Sequence, residues 1–167
     1  MNYLIRKRKL EDCYDIANIV TTSWNETYKG IVPDWFLEEL KSNEKLRAEK
    51  AISDYDENNN NYIVLEVNKK VVGFAWYGKS DDLEFDNCGE IIALYIIGQY
   101  KGNGFGKKLM ETATNELKKL GFDKIIIACL KGNPSNEFYK HMSGVHIKDG
   151  EYKRLGLPEN IYLYANI

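Results

Sequence analysis

The sequence predicts a mixed α+β fold on a mostly antiparallel sheet, and three features carry that prediction. Short β-type runs crowd both ends of the chain, one strand–helix–strand unit occupies the middle, and no second such unit follows to build a doubly wound sheet. At 167 residues the chain has the length of one domain with one core. No internal repeat or linker divides it, so residues 1–167 read as a single domain.

Tyr3 to Lys7 reads as the first strand, and the basic run Arg6-Lys7-Arg8-Lys9 as its solvated end. From Asp12 the apolar residues Ile16, Ile19, Val20 and Trp24 recur at helical spacing. Gly30 and Pro33 punctuate that helix, with Pro33 in the first turn of a second one through Leu40. A third helix covers Glu44 to Ile52, and the asparagine-rich tract from Asp54 to Asn61 is a loop. Tyr62 to Val67 and Val71 to Tyr77 flank Asn68-Lys69-Lys70 as a hairpin. Ser80 to Asn87 is an acidic loop. Glu90 to Ile97 is nearly continuous apolar sequence, as a strand buried on both faces requires.

After the glycine-rich stretch Gln99 to Gly106 comes a helix with Leu109, Met110, Ala113, Leu117 and Leu120 on one face, stopped by Gly121. Lys124 to Leu130 is a β-branched strand and Pro134 to Met142 a short helix. His146 to Ile147 and Ile161 to Ala165 are the last strands, and Tyr162 and Tyr164 read as exposed aromatics that point, by fold analogy, to a homodimer.

Composition removes several function classes. A formal net charge of -2, with lysines spread along the chain, argues against a nucleic-acid partner. No apolar run approaches the ~20 residues of a membrane span, and the N-terminus lacks the shape of a signal peptide. The chain therefore reads as cytoplasmic, with no membrane partner. Cys13, Cys88 and Cys129 are too widely spaced for a disulfide framework or a zinc site, and His141 and His146 have no partner at ligand spacing, so no metal is expected.

The chemistry concentrates in Gln99-Tyr100-Lys101-Gly102-Asn103-Gly104-Phe105-Gly106, which joins a buried strand to a helix. Glycines let a backbone approach a ligand closely, and helix-opening amides carry the positive end of the dipole. Together they suit a pyrophosphate, with Lys107 and Lys108 adding charge. The plain alternative is a turn that only connects strand to helix. P-loop spacing fails, because no Gly-Lys-Ser/Thr follows at the required interval, and the dinucleotide fingerprint fails because the next strand ends Leu130-Lys131 without an acidic residue.

Gln99-x-x-Gly102-x-Gly104 resembles the acyl-CoA-binding motif of the GNAT superfamily of N-acetyltransferases. Glu90-Ile91-Ile92-Ala93-Leu94-Tyr95-Ile96 resembles its central strand, and Asn133-Pro134-Ser135-Asn136-Glu137-Phe138-Tyr139 its later Asn-x-x-Ala-x-x-Phe-Tyr segment. Trp24 to Pro33 is similar to the first helix and helix–helix turn of bacterial members. The resemblance implies a mostly antiparallel central sheet with helices on both faces. In it the central strand and the Lys124 strand splay apart after a bulge near Leu94. It further implies acetyl-CoA as cofactor, with amides of Leu94, Tyr95 and Ile96 on the pantetheine arm and the acetyl carbonyl. Gln99, Tyr100, Lys101, Gly102, Asn103, Gly104, Phe105, Gly106 and Lys107 would surround the pyrophosphate. One departure falls after Tyr139: Lys140-His141-Met142-Ser143-Gly144-Val145 is a residue longer than the usual run to Gly-Phe, and ends in Val.

Acetyl transfer to an amine needs proximity, a neutral amine, an oxyanion donor and a proton for the leaving thiolate. Glu90 is the candidate base, through water, or else a solvated strand-edge carboxylate. Tyr139 is the candidate acid, since a phenol of pKa ~10 is protonated at neutral pH; the alternative is packing. Asn133 bonds the cofactor arm or caps the helix before Pro134. Trp24 and Tyr28, four apart on the first helix, would line the acceptor pocket, Tyr28 more so than Trp24. Asp81, Asp82, Glu84 and Asp86 attract a cationic acceptor such as a polyamine or form a plain surface loop. The expected function is acetylation of a small-molecule primary amine by direct attack in a ternary complex. The alternatives are acetylation of a protein N-terminus or lysine, and a non-catalytic acyl-CoA-binding module.

Overall fold

The computed structural model describes residues 1–167. Five helices and seven strands alternate as β1 (Tyr3–Lys7), α1 (Cys13–Tyr28), α2 (Asp34–Ser42), α3 (Glu44–Ser53), β2 (Tyr62–Val67), β3 (Lys70–Lys79), β4 (Cys88–Ile96), α4 (Phe105–Lys119), β5 (Lys124–Leu130), α5 (Ser135–His141), β6 (Val145–Tyr152) and β7 (Leu157–Ala165). The strands follow the order β1-β2-β3-β4-β5-β7-β6 in one sheet. β1–β2, β2–β3, β5–β7 and β6–β7 pair antiparallel, and β4–β5 parallel. This is the mixed, mostly antiparallel α+β class expected from the sequence.

Contacts divide the chain into two compact units, Met1–Trp76 with Ala93–Met110, and Tyr77–Ile92 with Glu111–Ile167. In the first unit, β2 runs antiparallel between β1 and β3. The β2–β3 turn is tight because Asn68 and Lys69 both take positive φ, 50° and 67°, the backbone of a primed hairpin turn. Ile16 and Ile19 of α1 pack on Val64, Val71 and Phe74, which explains the helical spacing read from the sequence. Gly30, at φ 82°, ends that segment, and Pro33 is the cap residue of α2 rather than part of its first turn. Its extended backbone (φ -60°, ψ 140°) keeps it outside the helix.

The basic run at the end of β1 is solvated only at Lys7 and Lys9, while Arg6 and Arg8 turn inward. Arg6 donates to both oxygens of Asp12, at 2.7 and 3.0 Å, and to Glu66 at 3.1 Å. Arg8 is only 8% exposed, its guanidinium over the rings of Tyr62 and Tyr55 at 4.0 and 5.1 Å, where ring quadrupoles favour a cation. Asp12, 2% exposed, also accepts the Lys9 amide at 2.7 Å.

In the second unit β5 is central, parallel to β4 on one side and antiparallel to β7 on the other. Cys88, Ile126 and Ile161 form a core cluster with Phe85, Ala128, Ile147 and Leu163 against it. Gly89 lies so close to α4 that an added Cβ would stand 2.9 Å from Leu117. The terminal hairpin is longer than its apolar residues indicate: β6 and β7 extend through Lys148-Asp149-Gly150-Glu151 and Pro158-Glu159-Asn160. Backbone pairing extends the ladder through polar positions that carry no hydrophobic alternation.

Burial works against the ionised Asp12 carboxylate, but Arg6 and the Lys9 amide outweigh it and hold the pKa below its usual value. A depressed carboxylate stabilises the fold above its unfolded pKa and loses that contribution as pH falls through the folded value. Asp12→Asn should therefore lower stability at pH 7 by about 2 kcal/mol in urea unfolding, with the gap narrowing in acid.

Candidate active site

The first unit assembles most of the cofactor and acceptor candidates. β4 ends with Leu94, Tyr95 and Ile96, and a short 3-10 turn, Gly98–Tyr100, carries Gln99 and Tyr100. Lys101 to Gly104 follow as an exposed turn, and Phe105, Gly106 and Lys107 open α4. Gly102 and Gly104 are left-handed, φ 79° and 75°, and an added Cβ on either would meet nothing within 4 Å. Only glycine adopts such angles without strain, and here their open side faces free space. The Lys108 amide donates to the Gly104 carbonyl at 3.3 Å as α4 begins, and the opening amides of a helix stand at the positive end of its dipole. Left-handed glycines ahead of helix-opening amides are the backbone features that suit an anion. Phe105 is buried and packs its ring 5.4 Å from Tyr3, which anchors the first turn of α4.

Trp24 and Tyr28, the acceptor candidates on α1, are both buried, with ring centroids 4.4 Å apart. The Trp24 indole donates to the Tyr95 phenol oxygen at 3.0 Å, so an acceptor candidate and a cofactor candidate are joined directly. Two contacts that sequence reasoning missed brace this region. The Gly98 amide donates to the Glu26 carboxylate at 2.9 Å, which ties the end of α1 to the turn bearing Gln99. A Cβ on Gly73 would stand 2.8 Å from the Tyr95 carbonyl oxygen and 2.9 Å from Ile96. The signal for Gly73 was available, since a lone glycine inside a strand marks close backbone approach.

The second unit holds Glu90, Asn133 and Tyr139. Glu90 sits where the parallel β4–β5 register ends, Cys88 to Glu90 opposite Lys124 to Ile126. Burial first, then the charges of Asp81, Glu159 and Asp82, push its pKa up to about 7. Glu90 thus shares an acidic cluster rather than standing as an isolated solvated carboxylate, and it can exchange a proton near neutrality. Its neighbouring loop is only partly acidic in effect, because Lys148 pairs with Asp82 at 2.7 Å and with Glu84 at 2.8 Å.

The Oδ1 of Asn133 accepts the Ser135 amide at 2.8 Å just ahead of α5, whose cap position is Pro134. Tyr139 lies on α5, buried, its ring 6.0 Å from that of Tyr162. Tyr162 is fully buried and Tyr164 half-buried, which removes the exposed pair from which a homodimer was expected. Alternation along β7 turns both toward α5. All three cysteines are free and buried, and burial raises the Cys88 thiol to about 11, so it is no nucleophile. No group of His, Cys, Asp and Glu side chains is arranged to hold a metal.

Residues 22–144 match the model of the acetyltransferase (GNAT) family. The chain belongs to that family, and its class is that of the acyl-CoA-dependent N-acyltransferases. It is 28% identical over 160 residues to YuaI of Bacillus subtilis strain 168, an uncharacterised N-acetyltransferase, over 92% of this chain and 86% of the relative. It is 24% identical over 154 residues to the spermidine N(1)-acetyltransferase of Thermoplasma acidophilum, over 89% and 91% of the two chains. Among solved structures, the PaiA N-acetyltransferase of the same organism, in complex with coenzyme A, superposes with a TM-score of 0.78 at 20% identity and 99% coverage of both chains. No helix is long and apolar enough to cross a membrane.

A carboxylate whose folded pKa is raised favours folding below its unfolded pKa and loses that contribution as pH climbs through the folded value. For Glu90 the window lies between 4.5 and about 7. Glu90→Gln should therefore gain stability relative to the wild type as pH rises through that window, read as the difference in melting temperature at pH 5 and pH 8. An unchanged difference would mean that Glu90 titrates as an exposed carboxylate.

Proposed function

We propose that the chain transfers acetyl from acetyl-CoA to a primary amine of a small cationic molecule, a polyamine or a related amine, by direct attack in a ternary complex. The observation that carries this reading is the pair of left-handed glycines, Gly102 and Gly104, opening α4 with their Cβ side unobstructed. A pyrophosphate fits such a nest, because its charge meets amides and a helix dipole. On this reading, amides from Gly102 to Gly106 and the side chains of Lys101 and Lys107 hold the phosphates. Gln99 and Tyr100 line the approach, and Leu94, Tyr95 and Ile96 hold the pantetheine arm. The cofactor supplies a thioester, an acyl carbon activated for attack.

The chain's own groups then move two protons. Glu90, ionised above about pH 7, takes a proton from the acceptor amine through water, which leaves the nitrogen able to attack. The Tyr139 phenol would give a proton to the departing sulfur and be restored by the second proton that the acylated nitrogen sheds, with no covalent enzyme intermediate. The acidic cluster of Glu90, Asp81, Asp82 and Glu159 supports a cationic acceptor, as does the likeness to a spermidine acetyltransferase. Trp24 and Tyr28 form the apolar wall for the acceptor's carbon chain. The free, buried cysteines suit the reducing cytoplasm.

Release of free thiol from acetyl-CoA across a panel of amines tests this proposal. Polyamines should be acetylated, with a rate that rises through pH 7, and Glu90→Gln should flatten that rise. Tyr139→Phe should lower kcat by about 10²-fold. Turnover with peptide N-termini or lysines but not with free polyamines would overturn the acceptor assignment, and absence of turnover with every amine would overturn the catalytic one.

A further inference from the structure

The two tyrosines near the end of β7 both bond to the segment of α5. Tyr164 donates its phenol hydrogen to the Tyr139 carbonyl at 2.8 Å, and Tyr162 donates to Oδ1 of Asn136 at 2.8 Å. Asn136, 8% exposed, then uses every hydrogen-bonding capacity of its amide. Its Nδ2 donates to the carbonyls of Leu130 at 2.9 Å and Asn133 at 2.8 Å, and its Oδ1 also accepts from Asn160 at 2.9 Å. Asn136 lies in the first turn of α5, and its amide ties that turn to Leu130 of β5 and to Asn160 and Tyr162 of β7.

The helix that receives these bonds cannot orient itself. α5 is 7 residues long, far below the length at which a helix holds its own shape in water. It is pinned at its first turn through Asn136 and at Tyr139 through Tyr164. The Tyr139 carbonyl also accepts the Gly144 amide at 2.9 Å, so both its lone pairs are engaged. Gly144 is locked against the same hydroxyl, since a Cβ there would stand 2.6 Å from the Tyr164 oxygen. Ser143 turns the chain at φ 72° to reach it, and this turn lies in the lengthened segment after Tyr139. Burial pushes the pKa of both Tyr162 and Tyr164 upward. Both phenols therefore stay protonated, and stay donors, across the physiological range.

We propose that Tyr164 and Tyr162, the latter through Asn136, are positioning residues that fix the orientation of α5 and thereby aim the Tyr139 phenol at the departing thiolate. This rests on Tyr139 being the proton donor, and the test separates the two ideas. The variants are Tyr139→Phe, Tyr164→Phe and their combination, each checked by melting temperature and assayed for kcat and for KM toward acetyl-CoA. Tyr164→Phe should lower kcat about tenfold with KM little changed. In the Tyr139→Phe background, where no phenol remains to be aimed, the same change should alter kcat less than about twofold. A stability loss alone would act equally in both backgrounds. Tyr162→Phe, which withdraws a donor from Asn136, should repeat the pattern if Tyr164→Phe folds poorly. Equal losses in both backgrounds, or a loss confined to KM, would overturn the positioning role while leaving the donor intact. Full activity in Tyr139→Phe itself would overturn the donor reading and this proposal with it.

Discussion

The parallel ladder between β4 and β5 takes in Cys88, Gly89 and Glu90, and Glu90, the proposed base, sits where it stops. Parallel pairing buries strands on both faces, so a carboxylate at the end of such a ladder is drawn out of water without being sealed from it. Burial and three like charges then push Glu90 to about 7. The same strand continues to Leu94, Tyr95 and Ile96, where Gly73 lets the neighbouring strand approach within reach of the Tyr95 carbonyl. One strand thus carries a titrating carboxylate near its start and a tightly packed backbone near its end.

The glycine turn after β4 follows a different logic. It depends on two left-handed φ angles that cost other residues strain, and on the Asn103 side chain, which donates to the carbonyls of Tyr100 and Lys101 at 3.2 Å. Its surroundings supply rigidity. Phe105 is buried against Tyr3, and Glu26 holds the Gly98 amide from α1. A nest of backbone donors is useful only when its direction is fixed, and these contacts fix it from both sides of the turn.

Much of the fold was legible in the sequence because periodicity and turn chemistry coincide with burial. β1, the β2–β3 hairpin, α3 and β5 lie within a residue or so of their expected limits. The glycine motif could be read for the same reason: only a backbone constraint explains its glycines. The misreadings share a cause, which is that burial of polar and aromatic side chains leaves no periodic trace. Arg8 inserts between Tyr55 and Tyr62 although its neighbours are charged. Tyr162 and Tyr164 point inward from a strand whose polar half, Pro158-Glu159-Asn160, gave no alternation. Asn136 was visible only as part of a motif, and its role emerges from four partners spread from Leu130 to Tyr162. Asn133, before Pro134, bonds the Ser135 amide just ahead of α5.

Family membership accounts for the fold, while the proposed acceptor rests on the acidic cluster at Glu90 and the aromatic pair on α1. The claim on which the account turns is that the glycine nest holds the cofactor's pyrophosphate. Calorimetric titration of acetyl-CoA into the wild type and into Gly104→Glu tests it most directly, with melting curves confirming that both are folded. The account predicts saturable binding to the wild type, lost in the variant, whose added carboxylate would stand in the nest. Equal binding by the two proteins would contradict it, and would move the cofactor site away from the start of α4.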